Sequence, residues 1–102
     1  MTQKEAFDLV LYKFIDAYVD LYGEINTVIL TNQFHMHRTK ASKVFTQYKE
    51  HELNGNNLRF DEGKAKYVKT ATFKKNFLLD DSSLFFLNSV EVVHGRPKVT
   101  VK

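Results

Sequence analysis

The 102-residue chain is 43% hydrophobic and 14% aromatic, enough apolar material for one core and too much for a disordered segment. It has no cysteine, no apolar run of the roughly 18 to 20 residues of a membrane span, and no basic and apolar leader. Disulfides and thiolate metal sites are thereby excluded, and a cytoplasmic protein is expected.

Residues 3–22 read as a long helix. Phe7, Val10, Leu11, Phe14, Tyr18 and Leu21 recur at spacings of three and four. Thr2 is placed to cap it, Glu5 completes a capping box, and Gly23 ends it. A second apolar set, Tyr12, Ile15, Val19 and Tyr22, lies off the first stripe. The helix is therefore apolar over more than the roughly 100° that docks on one core. Either both faces are buried inside the domain, or the second meets another subunit. Asn26 is expected to cap a second helix that carries Val28, Ile29 and Leu30 and ends at Gln33 or Phe34.

His35-Met36-His37 then forms a tight connector into a third helix, from about Arg38 to Leu53. Ala41, Val44, Phe45 and Tyr48 make its inner face, and Asn54-Gly55-Asn56-Asn57 stops it. A hairpin follows. Leu58-Arg59-Phe60 leads into a turn at Asp61-Glu62-Gly63-Lys64, with Gly63 expected to supply positive φ, and Ala65 to Thr70 returns. Residues 71–79 read as a docking segment. Asp80 or Asp81 is expected to cap a short helix through Leu87 or Asn88. Val90–Val93 and Lys98–Val101 read as strands joined by His94-Gly95-Arg96-Pro97.

Three helices followed by a hairpin give an α+β winged helix-turn-helix over residues 1–75. Residues 76–102 are a short mixed extension and a candidate dimerisation element. Charge fits this order. Residues 1–34 hold two lysines against five carboxylates, whereas residues 35–75 hold ten lysines and arginines against four carboxylates. That is the pattern of a one-sided polyanion-binding surface, although a solvated lysine-rich surface gives the same count. With its apolar side inward, the third helix turns Thr39, Ser42, Lys43, Thr46, Gln47 and Glu50 outward. Lys43 has the reach for guanine O6 or N7, Thr39 and Thr46 offer methyl contacts, and Gln47 suits adenine. Arg38, Lys40 and Lys49 are placed for phosphates, which give affinity without sequence information. Glu50 and Glu52 fall near the helix end, away from the groove floor. On the hairpin, Arg59, Lys64 and Lys66 suit phosphates or the adjacent minor groove, and Phe60 and Tyr67 are expected to pack its base on the core.

The run Phe34-His35-Met36-His37-Arg38-Thr39-Lys40-Ala41-Ser42, then Tyr48, Asn57-Leu58-Arg59-Phe60-Asp61 and Lys66-Tyr67-Val68, resembles the N-terminal winged helix-turn-helix of WYL-domain transcriptional regulators. Repressors beside phage-defence loci belong to that family. The resemblance covers roughly residues 3–75. His35 and His37 stand where the family has Gly and Ser, and Val44 stands at its acidic position. The family's WYL ligand-sensing domain is not expected within this chain. What the resemblance implies is a homodimer on double-stranded DNA, one third helix in each half-site.

Other readings are weaker. His35-x-His37, with His51 and His94, lacks cysteine partners and a His-Glu-x-x-His spacing, so His35 and His37 read as turn, cap and phosphate-contact residues rather than metal ligands. Ser82 and Ser83 beside Asp80 and Asp81 read as a helix N-cap, since no Gly-x-Ser-x-Gly turn surrounds them. The tyrosines of the first helix could stack single-stranded bases, but their helical spacing fits packing better. No constellation points to an enzyme or to a cofactor. The main alternative is a small protein-interaction module on the same scaffold, of the kind phage-encoded inhibitors use. A third is an architectural DNA binder, for which charge alone would suffice.

Overall fold

The computed structural model describes residues 2–51 and 57–95. Helix α1 (Gln3–Tyr22) begins as its sequence directs. The Glu5 N–H donates to Thr2 Oγ1 at 3.1 Å, and the Thr2 N–H donates back to Glu5 Oε1 at 3.2 Å. Gly23 closes the helix at φ 79°, a left-handed value that other residues rarely adopt. Strand β1 (Glu24–Ile25) and helix α2 (Thr27–Phe34) follow, with Asn26 Oδ1 accepting from the Ile29 N–H at 3.1 Å.

Helix α3 (Arg38–Glu50) ends three residues before the expected Leu53. His51 is the C-cap, and its N–H reaches back to the carbonyls of Gln47 and Tyr48. The expected stop at Asn54 to Asn56 lies outside the described residues. Strands β2 (Leu58–Asp61) and β3 (Lys66–Lys69) form the wing, paired as Leu58↔Lys69, Arg59↔Val68, Phe60↔Tyr67 and Asp61↔Lys66. The positive φ of the turn falls on Ala65, at 53°, and not on Gly63 as expected. Asp61 accounts for the shift: it still belongs to β2, so the turn begins one residue later and the left-handed position moves to its end.

Two further features differ from the sequence reading. First, β1 pairs antiparallel with β3 (Glu24↔Val68, Ile25↔Tyr67), so the wing is the outer part of a three-stranded sheet ordered β1-β3-β2. Two residues are too few to show a period of two. Second, Val90–Val93 is not a strand. It continues helix α4 (Ser83–His94); of the caps the sequence offered, Ser82 takes the position and Asp80 and Asp81 do not, with the Phe85 N–H donating to Ser82 Oγ at 3.2 Å. β-Branched residues favour strands only weakly, and here packing decides. Phe86, Leu87 and Val90, at helical spacing, seat α4 on the core. The expected strand Lys98–Val101 lies outside the described residues.

Both stripes of α1 are used inside the domain. Phe7 and Phe14 meet Phe34, and His94 of α4 also stacks against Phe7. On the other side Tyr12 meets Tyr48, His51 and Phe77. Ile15 and Val19 are fully buried, while Tyr22 remains 59% exposed. Ala41, Val44, Phe45 and Tyr48, the predicted inner face of α3, are completely buried. Phe45 stacks on Tyr67 at 4.5 Å, which seats the wing on α3. Phe60 packs on Tyr67 from outside and is 44% exposed, so Tyr67 is the anchor and Phe60 its cover.

Candidate nucleic-acid interface

The burial of one side of α3 determines what the other side presents. Arg38, Thr39, Ser42, Lys43, Thr46, Lys49 and Glu50 are exposed. The tight turn into α3 depends on His35, which adopts φ 54° as the C-cap of α2, and on Met36, which packs on the core. His37 takes the N-cap position of α3 without a side-chain cap bond, so its imidazole remains at the exposed start of the helix beside Arg38.

Some predicted site residues have protein partners. Lys40 Nζ lies 3.5 Å from Asp8 Oδ1 and is partly covered. Lys66 pairs with Glu24 across the sheet. Gln47 is half-buried, and its Oε1 accepts from the Tyr12 hydroxyl at 3.4 Å. Burial first, then the charges of Asp8 and Glu50, raise the Tyr12 phenol above its ordinary value, so it stays a donor. Thr46 Oγ1 donates to the Ser42 carbonyl at 3.2 Å, so its hydroxyl is engaged by the helix itself. By contrast, Arg38, Lys43, Lys49, Arg59 and Lys64 make no ion pair among the described residues. Among the predicted site residues, these five are the unpaired cations.

The wing tip and the start of α3 come together. Arg38, Lys64 and Ala65 line one shallow groove of about 320 Å³ with Asn26, Thr27, Val28 and Thr31 of α2. The α2 residues were not among the site residues expected from the sequence. Their only sequence signal is that a capped helix N-terminus precedes the basic segment. Two cations and the positive end of a helix dipole thus share one concavity, the chemistry of a phosphate contact. Arg59 on the wing and Lys43 on α3 are exposed as well.

Residues 9–89 match the BrxR transcriptional regulator winged helix-turn-helix domain. The chain belongs to that family. The match runs from the second turn of α1 through most of α4, so the BrxR-type domain takes in α4 as well as the three helices and wing. No curated protein matches the chain. No helix among the described residues is long and apolar enough to cross a membrane.

A buried polar cluster lies behind the BrxR-type helix and wing, and sequence reasoning missed it. Asp16 is fully buried on α1. The Tyr48 hydroxyl donates to its Oδ1 at 2.5 Å, and the N–H groups of Phe77 and Leu78 donate to its Oδ2 at 2.6 and 3.0 Å. Burial raises the Asp16 carboxyl above its ordinary value, and these hydrogen bonds offset part of the rise. Asn57, also fully buried, donates to the Tyr48 hydroxyl oxygen at 3.2 Å. The available signal was a carboxylate between Ile15 and Ala17, inside an otherwise apolar stretch of helix.

Proposed function

We propose that the chain is a sequence-specific, double-stranded DNA-binding repressor that acts as a cytoplasmic homodimer. Helix α3 enters the major groove, and the wing lies on the backbone or in the neighbouring minor groove. The observation that carries this reading is the convergence of Arg38 and Lys64 on one groove at the N-terminus of α2. A single duplex backbone seated there brings the exposed side chains of α3 against base edges. The mixed Thr39, Ser42, Lys43 and Thr46 surface favours base readout over backbone binding alone. Family membership supports a role in transcription, and the motif residues from Phe34 to Val68 support kinship with WYL-domain repressors.

The homodimer is supported by α4. Its outer face carries Leu84, Phe85, Val92 and Val93, between 58% and 85% exposed. An apolar surface on one helix is what a two-fold partner covers. Two copies would space their α3 helices by about one turn of DNA, roughly 10 bp, or a multiple of it. Hydroxyl-radical footprinting on DNA upstream of the protein's own gene tests the whole reading. Two protected half-sites at that spacing are expected. A single protected site, with a monomer in sedimentation, would remove the dimer. No protection at all would favour the interaction module, with the α4 face as its contact surface.

A further inference from the structure

The wing is a small element. Its two strands have four residues each, and such a hairpin is marginal without support. Its apolar anchors are Leu58 and the stacking of Tyr67 on Phe45. The two-residue β1 edge (Glu24↔Val68, Ile25↔Tyr67) also holds β3, and stacked rings tolerate sliding and tilting, so neither ties β2 or the wing root to α3 at a set angle. Hydrogen bonds are directional, and a set of them meets at the wing base.

Asn57 immediately precedes β2. Its carbonyl accepts from the Thr70 N–H at 3.1 Å, just beyond β3, which closes the hairpin at its root. Its side chain grips the backbone of Lys74 from both sides: Oδ1 accepts from the Lys74 N–H at 3.1 Å, and Nδ2 donates to the Lys74 carbonyl at 2.6 Å. The second Nδ2 hydrogen goes to the Tyr48 hydroxyl. Tyr48, on the inner face of α3, passes its own hydrogen to Asp16 on α1. Asp16 then holds the backbone of Phe77 and Leu78. Three buried side chains thereby join α1, α3, the wing root and the segment that follows the wing. An apolar trio of similar volume would serve stability equally well. A directional chain adds orientation, and a lost link in it cannot be replaced by water where no water reaches.

We propose that Asn57 and Asp16, acting through Tyr48, are positioning residues that fix the angle between the wing and α3 so that both meet one duplex. The use of that angle rests on the DNA-binding reading given above; the clamp itself does not. The test therefore has two arms, run on Tyr48→Phe, which removes one hydroxyl and keeps the ring, and on Asn57→Ala. In amide hydrogen exchange without DNA, residues 58–61 and 66–69 should exchange about tenfold faster in both variants, with α1 and α2 changed much less. In duplex titration, affinity should fall about tenfold, and Lys64→Ala should cost little more in the Tyr48→Phe background.

Unchanged wing exchange in Tyr48→Phe overturns the proposal whatever the DNA arm shows. Faster exchange with undiminished duplex affinity, where Lys64→Ala retains its full effect, also overturns it. Faster wing exchange in a protein whose parent binds no duplex supports the clamp and removes the DNA reading instead. If Asn57→Ala fails to fold, Tyr48→Phe decides alone.

Discussion

The Tyr48 hydroxyl donates to Asp16 across 2.5 Å in the fully buried space between α3 and α1. The Tyr48 hydroxyl and the backbone of Asn76, Phe77 and Leu78 all bond this carboxylate, and no ion pair of the described residues involves it. Removing it leaves the hydroxyl and these backbone amides without their acceptor. Each such group costs about 1–3 kcal/mol, so Asp16→Ala should lose about 3 kcal/mol or more in urea denaturation. A loss below about 1 kcal/mol would mean that water or a neighbour replaces the carboxylate.

Asp16 also makes stability depend on pH. Burial raises its folded-state pKa above the ordinary 3.8, so the folded protein holds this proton more tightly than the unfolded chain. The resulting stabilisation is complete below the ordinary value and is lost as pH rises through the raised one. Measured against Asp16→Asn, which cannot ionise, the parent should therefore lose ground as pH climbs above 3.8. Urea midpoints of both proteins, compared from about pH 4 to about pH 7, give the answer. A difference that stays flat, or that grows in favour of the parent, contradicts the sign.

Lys43 sits on the exposed face of α3 with no ion-pair partner among the described residues. Lys43→Ala should weaken specific binding more than binding to random duplex, by about 1–3 kcal/mol if the ammonium reads a guanine edge. Equal losses on both duplexes would make Lys43 a phosphate contact.

The wing lysines should differ. Lys64 is exposed at the wing tip, whereas Lys66 is engaged by Glu24. Lys64→Ala should lower affinity for every sequence and reduce the salt slope by about one, and Lys66→Ala should reduce it less. Equal reductions would show that the Glu24 pair opens on DNA.

Asp8 restrains Lys40 beside the basic face. Asp8→Asn should raise non-specific affinity and steepen the salt slope, by up to about one, because it removes a carboxylate and frees an ammonium. Titration against a scrambled duplex checks this. An unchanged slope would mean that Lys40 lies beyond the reach of the backbone.

The parts of the fold legible in the sequence are those written in local chemistry. The capping box at Thr2, Asn26 before α2 and the four inward positions of α3 needed only spacing and side-chain type. Strand β1 and the full length of α4 depend on partners far away in the chain: β3 for Glu24 and Ile25, the core for Val90. At the interface, sequence placed Lys43, Arg38 and Lys64 on the exposed surface. It could not show that Lys40, Lys66 and Gln47 are engaged by Asp8, Glu24 and Tyr12, because each partner lies more than thirty residues away. The link from Asp16 to Tyr48, also more than thirty residues apart, was hidden for the same reason.

The central claim is that α3 and the wing together read a duplex. Its most direct test is a fluorescence-polarisation titration of the parent protein against a duplex of roughly 30 bp from upstream of its own gene, beside a scrambled duplex, at about 50 and about 200 mM salt. Tight, salt-sensitive binding that strongly favours the upstream duplex is the predicted result. Equal affinity for both duplexes, or none for either, would contradict it.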